Sequence, residues 1–176
     1  MSGRLVPAIT VIALLVLLLA LMVLGWRARR RRQSALPEPP RPPAGLGAPR
    51  LEVDVLYVAT TTAGQPLDRL TVAPLGFRGR AAARVHDAGL VLAIDGEREV
   101  LVPADRITGS GLATYAIDRV VEEGGLVAVT WFLDEAAGTP VDTYLRVIDP
   151  REKTALVDAL QRIPRIAHDD DDNEGK

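Results

Sequence analysis

LEVDVLYVA, residues 51–59, is the stretch that predicts the fold class. Its apolar side chains recur at every second position, and Glu52 and Asp54 lie between the first of them. This period is typical of a β-strand with one buried and one hydrated face. Further strands are predicted at residues 80–86, 89–94, 99–102, 116–121, 126–133 and 142–148. Residues 61–78 and 109–111 read as irregular connections, because glycine and proline punctuate them.

The period changes after the last predicted strand. Asp149-Pro150-Arg151-Glu152 places an N-cap acid before a proline at the first helical position, which is a helix start signal. The apolar residues that follow at helical spacing are Leu156, Ala159, Leu160 and Ile163. Pro164 ends this helix. Seven strands and a C-terminal helix predict a mainly β fold, a barrel or sandwich that the helix caps.

The N-terminal run LVPAITVIALLVLLLALMVL, residues 5–24, predicts a transmembrane anchor over residues 1–26. It carries no charge, and as a helix it measures about 30 Å, the thickness of one hydrocarbon core. Only Arg4 precedes it, so the charge order is opposite to that of a signal peptide. The flank after the run, a predicted membrane-interface anchor, contains Trp26, Arg27, Arg29, Arg30, Arg31 and Arg32. The C-terminal side is therefore expected in the cytoplasm, the N-terminus outside the plasma membrane.

Three further segments follow from composition. Residues 27–49 are basic and then proline-rich, which predicts a semi-rigid polyproline II spacer or, less favoured, a docking ligand for an aromatic groove. Residues 50–166 form the predicted β domain, with 13 basic and 17 acidic residues. Residues 167–176 form an acidic tail that we expect to be disordered. A domain with a net charge near −4 is not expected to bind nucleic acid.

The chain has few of the residue types that catalysis or metal binding requires. Cysteine is absent, and serine occurs only at Ser2, Ser34 and Ser110, so no nucleophile with a nearby base is recognisable. The two histidines are His86 and His168, and neither belongs to a ligand cluster. We therefore predict no enzyme, no metal and no cofactor. Trp131 lies in a strand that is apolar on both faces and is predicted to be core.

Several short sequence segments of this chain, taken in order, resemble those of a known family. They are Tyr57–Thr61, Leu75–Gly79, Val102–Ala104, Val129–Trp131 and Asp142–Arg146. Together with the N-terminal helix they resemble a family of small actinobacterial single-pass membrane proteins with a bacterial pleckstrin-homology (PH)-like domain. The resemblance implies a PH-like β-barrel on a membrane anchor, and it implies no established catalytic activity.

One cluster of basic residues is a candidate anion or partner site: Arg78, Arg80 and Arg84. Arginines at these spacings suit an anion, and the resemblance implies basic residues near the first strands that hold lipid headgroups in phosphoinositide-binding PH domains. The favoured alternative is that Arg78 is structural and pairs with a strand-end carboxylate or carbonyl.

The functional hypothesis is a membrane-anchored, non-enzymatic binding or scaffold module at the cytoplasmic face of the plasma membrane. It would contact the bilayer through residues 5–24 and recruit an unidentified protein partner. One alternative is an accessory subunit of a membrane transport or export system. Another is an anionic-lipid reader that uses the three arginines.

Overall fold

A computed structural model describes most of the chain. Its backbone is described for residues 5–34, 36–113, 115–116, 119–120, 125–134 and 138–163. Side chains are described for residues 11–25, 36–113, 125–134 and 138–163. The chain divides into two compact units, Met1–Leu36 and Pro37–Lys176. The predicted tail, residues 167–176, and the side chains of Trp26 and of the five arginines after it lie outside the described residues.

The first unit contains a single described helix, α1, at Leu5–Ser34. The large apolar side chains described along it are between 48% and 69% exposed. Within the part of the chain that the structure describes, no helix has both the length and the hydropathy required to cross a bilayer. The predicted N-terminal helix is therefore confirmed, and its role as a membrane span stays a prediction.

The second unit is built on an antiparallel sheet. Its strands are β1 (Leu51–Thr62), β2 (Gln65–Arg69), β3 (Gly79–His86), β4 (Gly89–Ile94), β5 (Val100–Pro103), β6 (Ile107–Ala113), β7 (Tyr115–Ala116), β8 (Arg119–Val120), β9 (Leu126–Asp134) and β10 (Thr139–Val147). The main sheet has the order β5-β4-β3-β1-β10-β9-β6, and β2 pairs with β1 beside this path. Strands β7 and β8 form a separate two-stranded sheet. The two ends of the main path, β5 and β6, are joined by a short 3₁₀ turn at Ala104–Arg106.

Three predictions of strands and connections were wrong. Residues 61–78, predicted to be an irregular connection, contain the end of β1 and the whole of β2. Residues 109–111, predicted to be a connection, lie within β6 and pair with β9. The strand predicted at residues 116–121 is not part of the main sheet, since the described residues there belong to β7 and β8. Local propensity disfavours a strand that contains Gly109 and Gly111, but the hydrogen-bonded ladder with β9 overrides it.

The C-terminal helix closes the core. Pro150–Glu152 form a 3₁₀ turn that leads into α2 at Lys153–Gln161. The Asp149 carboxylate accepts a hydrogen bond of 3.0 Å from the Arg151 amide, as the predicted helix start requires. The helix contacts β6 and β1, and its apolar side chains Leu156, Leu160 and Ile163 are buried. The predicted mainly β fold with a C-terminal helix is confirmed.

A chain of buried hydrogen bonds crosses the core. Trp131 donates its indole N–H to the Thr143 hydroxyl at 2.9 Å, and Thr143 contacts Thr60 at 2.9 Å. The Tyr57 hydroxyl lies 2.9 Å from Thr60 Oγ1 and 2.8 Å from the Leu75 carbonyl oxygen. The indole N–H can only donate and the Leu75 carbonyl oxygen can only accept. The Thr143 hydroxyl therefore donates to Thr60, the Thr60 hydroxyl donates to Tyr57, and the Tyr57 hydroxyl donates to Leu75. All four side chains are at most 1% exposed, so Trp131 is core, as predicted.

Part of the proline-rich segment is attached to the sheet. Residues 37–49 belong to the same compact unit as the sheet. Pro39 is buried, and the Pro40 carbonyl oxygen accepts a hydrogen bond of 2.9 Å from the Leu101 amide of β5. Only residues 35 and 36 lie between the end of α1 and this unit. Residues 38–40 therefore contact a strand edge, and the role of residues 27–49 as a linker stays a prediction.

Candidate interaction surface

The outer side of β1 presents one apolar residue between two arginines. Side chains alternate along β1, so that Val55 and Tyr57 are buried whereas Leu56 is 38% exposed. Leu56 pairs with Arg80 of β3 on one side and with Arg146 of β10 on the other. We call Arg80, Leu56 and Arg146 the arginine–leucine row. Opposite residues of paired antiparallel strands have Cβ atoms about 5 Å apart, so these three side chains are neighbours.

Both arginines of the row are available to a partner. Arg80 and Arg146 are exposed, and neither forms an ion pair or a side-chain hydrogen bond with any described residue. Asp54, the next outward residue of β1, is also exposed and unpaired among the residues that the structure describes. The row and Asp54 therefore carry a local charge of two cations and one anion, with Leu56 in the middle.

Arg84 lies on the same side of β3 but has a different role. Its guanidinium lies 3.1 Å from a Glu52 carboxylate oxygen and 2.9 Å from a Glu99 carboxylate oxygen. Glu52 is its direct neighbour across the β1–β3 pair. Hydrogen bonds to Glu52 and then Glu99 raise the pKa of Arg84. Two carboxylates compensate one guanidinium, so Arg84 offers little attraction to a further anion.

Arg78 shows no pairing with the described residues that would give it a structural role. It is exposed and has no ion-pair or hydrogen-bond partner in the described part of the chain. The loop that carries it is held instead by the buried Leu75, whose carbonyl oxygen accepts from Tyr57. Phe77, the residue before Arg78, is 77% exposed. The structural role of Arg78 therefore stays a prediction, whereas Arg84 pairs with two carboxylates.

The three predicted arginines lie at separate positions along and before β3, and their role as one site stays a prediction. Arg80 and Arg84 are four residues apart on an extended strand, which separates their Cα atoms by about 13 Å. Arg78 precedes the strand altogether. The structure instead brings Arg80 together with Leu56 and Arg146, which the sequence did not single out. Alternation along β10 predicts that Arg146 faces outward, but no local signal names its neighbours.

The described residues contain no group of three histidine, cysteine, aspartate or glutamate side chains arranged to hold a metal ion. His86 is buried at the end of β3, where it pairs with Gly89 of β4. His168 lies outside the described residues. The expected lack of a metal, a cofactor and a catalytic site therefore stays a prediction.

Comparison with known families agrees with this architecture. The family model described as bacterial PH domain-like matches residues 36–161. The chain belongs to this family, whose match extends from the proline-rich segment to the end of α2. A comparison with curated proteins found no match. The actinobacterial origin implied by the resemblance stays a prediction.

Proposed function

We propose that this chain is a membrane-anchored, non-enzymatic binding module whose PH-like domain recruits a protein partner through the arginine–leucine row. Membership of a bacterial PH domain-like family supports a binding or scaffold role, since such domains are generally not catalytic. The surface described above supports a protein partner. The location that we propose is the cytoplasmic face of the plasma membrane.

The proposed anchor rests on the N-terminal sequence. Residues 5–24 are uncharged and lie within α1. A helix that is apolar on all sides needs an apolar environment around it, and the described side chains of α1 are about half or more exposed. Five arginines follow this run and one precedes it, which favours a cytoplasmic C-terminal side.

The partner follows from the chemistry of the row. Arg80 and Arg146 lie on the two strands that flank β1, so their backbones are about 10 Å apart. Each guanidinium suits a carboxylate in a bidentate pair, and an apolar side chain between two such pairs would bury Leu56. The best fit is therefore a protein segment with two acidic residues that flank an apolar residue.

An anionic-lipid reader is a weaker alternative. Arg84, one of the three residues required for it, is already bonded to Glu52 and Glu99. The net charge near −4 of residues 50–166 opposes approach to an anionic bilayer. A row that contains an exposed leucine at its centre suits a protein surface better than a headgroup.

Site-specific photo-crosslinking tests this proposal. Leu56 is replaced by a benzophenone amino acid in the full chain, expressed in its native host, and Leu112, which is 58% exposed, receives the same probe as a control. We expect an adduct with another protein at position 56 only. The change Arg80→Glu with Arg146→Glu should abolish the adduct, whereas Arg151→Glu, an exposed arginine of another element, should not. Adducts with lipid alone, or adducts that survive the double reversal, would contradict the proposal.

A further inference from the structure

Phe77 is the most exposed of the large apolar side chains that the structure describes, at 77%. It lies between β2 and β3, in residues 70–78, which we call the Phe77 loop. The buried Leu75 directs its carbonyl oxygen to the Tyr57 hydroxyl at 2.8 Å, and Gly79 pairs with the same tyrosine across β1 and β3. The ring is therefore presented to solvent by a backbone that is held on both sides of it. Burial of such a ring at an interface gains apolar area with little cost for ordering the loop.

An available cation follows the ring. Arg78 is exposed and forms neither an ion pair nor a hydrogen bond with a described residue. At the boundary of a bilayer, aromatic rings lie at the level of the headgroups, and a guanidinium can bind phosphate oxygens there. An exposed ring next to an unpaired arginine has the chemistry that this boundary favours.

The Phe77 loop lies beside the point where the chain enters the β domain. One nitrogen of Arg98, Nη2, donates to the Glu38 carboxylate at 3.0 Å and to the Ala73 carbonyl oxygen at 3.4 Å. Because both acceptors contact the same nitrogen, they are close neighbours. Glu38 is the second residue of the second compact unit, and Ala73 precedes Phe77 by four positions. The loop and the beginning of the unit therefore lie on the same side of the domain.

The chain between the proposed anchor and the domain is short. The apolar run ends at Leu24, residues 25–34 belong to α1, and four more residues lead to Glu38. The ten helical residues add about 15 Å, and the four that follow add at most about 13 Å. A domain of this length is about 35 Å across, so the tether is shorter than the domain that it carries. With residues 5–24 in the bilayer, the side of the domain that contains Glu38 stays near the membrane surface.

We infer that Phe77 and Arg78 form a second contact with the bilayer, in which the ring inserts among the headgroups and the guanidinium binds lipid phosphate. This contact rests on the membrane anchor of the proposed function and does not depend on the arginine–leucine row. It also differs from the three-arginine lipid reader, because it requires neither Arg80 nor Arg84. The anchor keeps the loop and the bilayer at a high effective concentration, so the contact forms despite the negative net charge of the domain.

Photo-crosslinking tests this contact in the full chain, reconstituted in nanodiscs of phosphatidylcholine and phosphatidylglycerol. A benzophenone amino acid replaces Phe77 and retains an aromatic side chain there. The same probe at Leu14 reports whether the proposed anchor lies in lipid, and at Leu112, 58% exposed on β6, it reports unspecific adducts. We expect lipid adducts at positions 77 and 14 to exceed those at position 112 by about tenfold, the least that burial of a phenyl ring provides.

Two further changes in the chain with the probe at position 77 test the cation and the tether. Arg78→Gln should lower the lipid adduct by about fivefold, the effect of one cation near an anionic surface. Arg151→Gln, which changes an exposed arginine of another element, should leave the adduct unchanged. A glycine–serine insertion between residues 35 and 36 lengthens the tether and should also lower the adduct.

Each failure has a separate signature. Lipid adducts at position 14, with no excess at position 77 over position 112, would overturn the inference and leave the proposed anchor in place. A lack of lipid adducts at position 14 would overturn the anchor and this inference with it. An Arg78→Gln chain that keeps the full adduct would overturn the role of Arg78.

Discussion

Leu56 and Tyr57 are adjacent on β1 and face opposite sides of the sheet. Tyr57 is 1% exposed, and its hydroxyl belongs to a chain of hydrogen bonds that ends at the Trp131 indole. Leu56 is 38% exposed and lies between Arg80 and Arg146, which are unpaired among the described residues. The Tyr57 hydroxyl has its hydrogen-bond partners in place, whereas the outer guanidiniums have none among the described residues.

The difference follows from the presence of water. A buried hydroxyl or indole that loses its partner costs about 1–3 kcal/mol, so loss of a member of the hydrogen-bond chain is expected to lower stability. An exposed guanidinium keeps its hydration and costs little when it is unpaired. Substitutions on the inner side are therefore expected to change stability, and substitutions on the outer side are expected to change binding.

Thr143→Val is expected to have the largest effect. The change keeps the shape of the side chain but leaves the buried Trp131 N–H without an acceptor and removes a partner of Thr60. The free energy of unfolding should fall by about 2–3 kcal/mol. Urea unfolding of a fragment of residues 36–176 measures this. Thr139→Val, in the same strand, is the control and should stay within about 0.5 kcal/mol.

The pH dependence of stability should report Tyr57. Burial away from water raises the pKa of Tyr57 to about 12, from 10.0. Between these two pH values the unfolded chain loses a proton that the folded protein keeps. The contribution of Tyr57 to the free energy of unfolding is therefore fully present below pH 10 and decreases as the pH rises toward 12. The loss is about 2–3 kcal/mol for this shift. The free energy of unfolding of the Tyr57→Phe variant should decrease less steeply over this pH range. An identical decrease in the wild type and the variant would contradict the assignment of the raised pKa to Tyr57.

The arginines of the outer side should differ from one another. Arg84→Ala removes contacts with two carboxylates and should lower the free energy of unfolding by about 0.5–1 kcal/mol. Arg78→Ala should change it by less than about 0.5 kcal/mol, because Arg78 has no described partner. The same urea titration compares the two variants. A larger loss for Arg78→Ala than for Arg84→Ala would contradict this order and support the structural role that the sequence predicts for Arg78.

Leu56→Ser is expected to have the smallest effect on stability. The Leu56 side chain lies on the outer face, so the free energy of unfolding should change by less than about 0.5 kcal/mol. In the full chain the same change should weaken capture of the partner, measured with the photo-crosslinker moved to Asp54, the next outward residue of β1. A variant that is as stable as the wild type and that captures the partner equally well would remove Leu56 from the proposed surface.

The sequence and the structure differ most where pairing partners are distant in the chain. The alternation in residues 51–59 predicts which side chains of β1 face outward, and the structure confirms it. It does not predict that Leu56 lies between Arg80 and Arg146, since the register of β1 with β3 and β10 depends on the whole core. For the same reason the sequence did not indicate that Arg84 pairs with Glu52 and Glu99.

The proline-rich segment shows the same limit. Its composition predicts an extended conformation, because proline has no N–H and restricts φ. Composition does not indicate that Pro39 is buried or that Arg98, far along the chain, holds the Glu38 carboxylate. An extended segment with free carbonyl oxygens is suited to a spacer and to a strand edge alike, and the contact of Pro40 with Leu101 depends on the position of β5.

By itself, the sequence determined the properties that depend on neighbouring residues: the strand periods, the N-terminal helix, the capped C-terminal helix and the charge of each segment. The tertiary structure alone decided which strands are adjacent, that residues 107–113 belong to the sheet, and which arginines remain available to a partner. The physical reason is that periodicity sets the direction of a side chain within its own element. The neighbours of that side chain are set by the packing of all elements around one core.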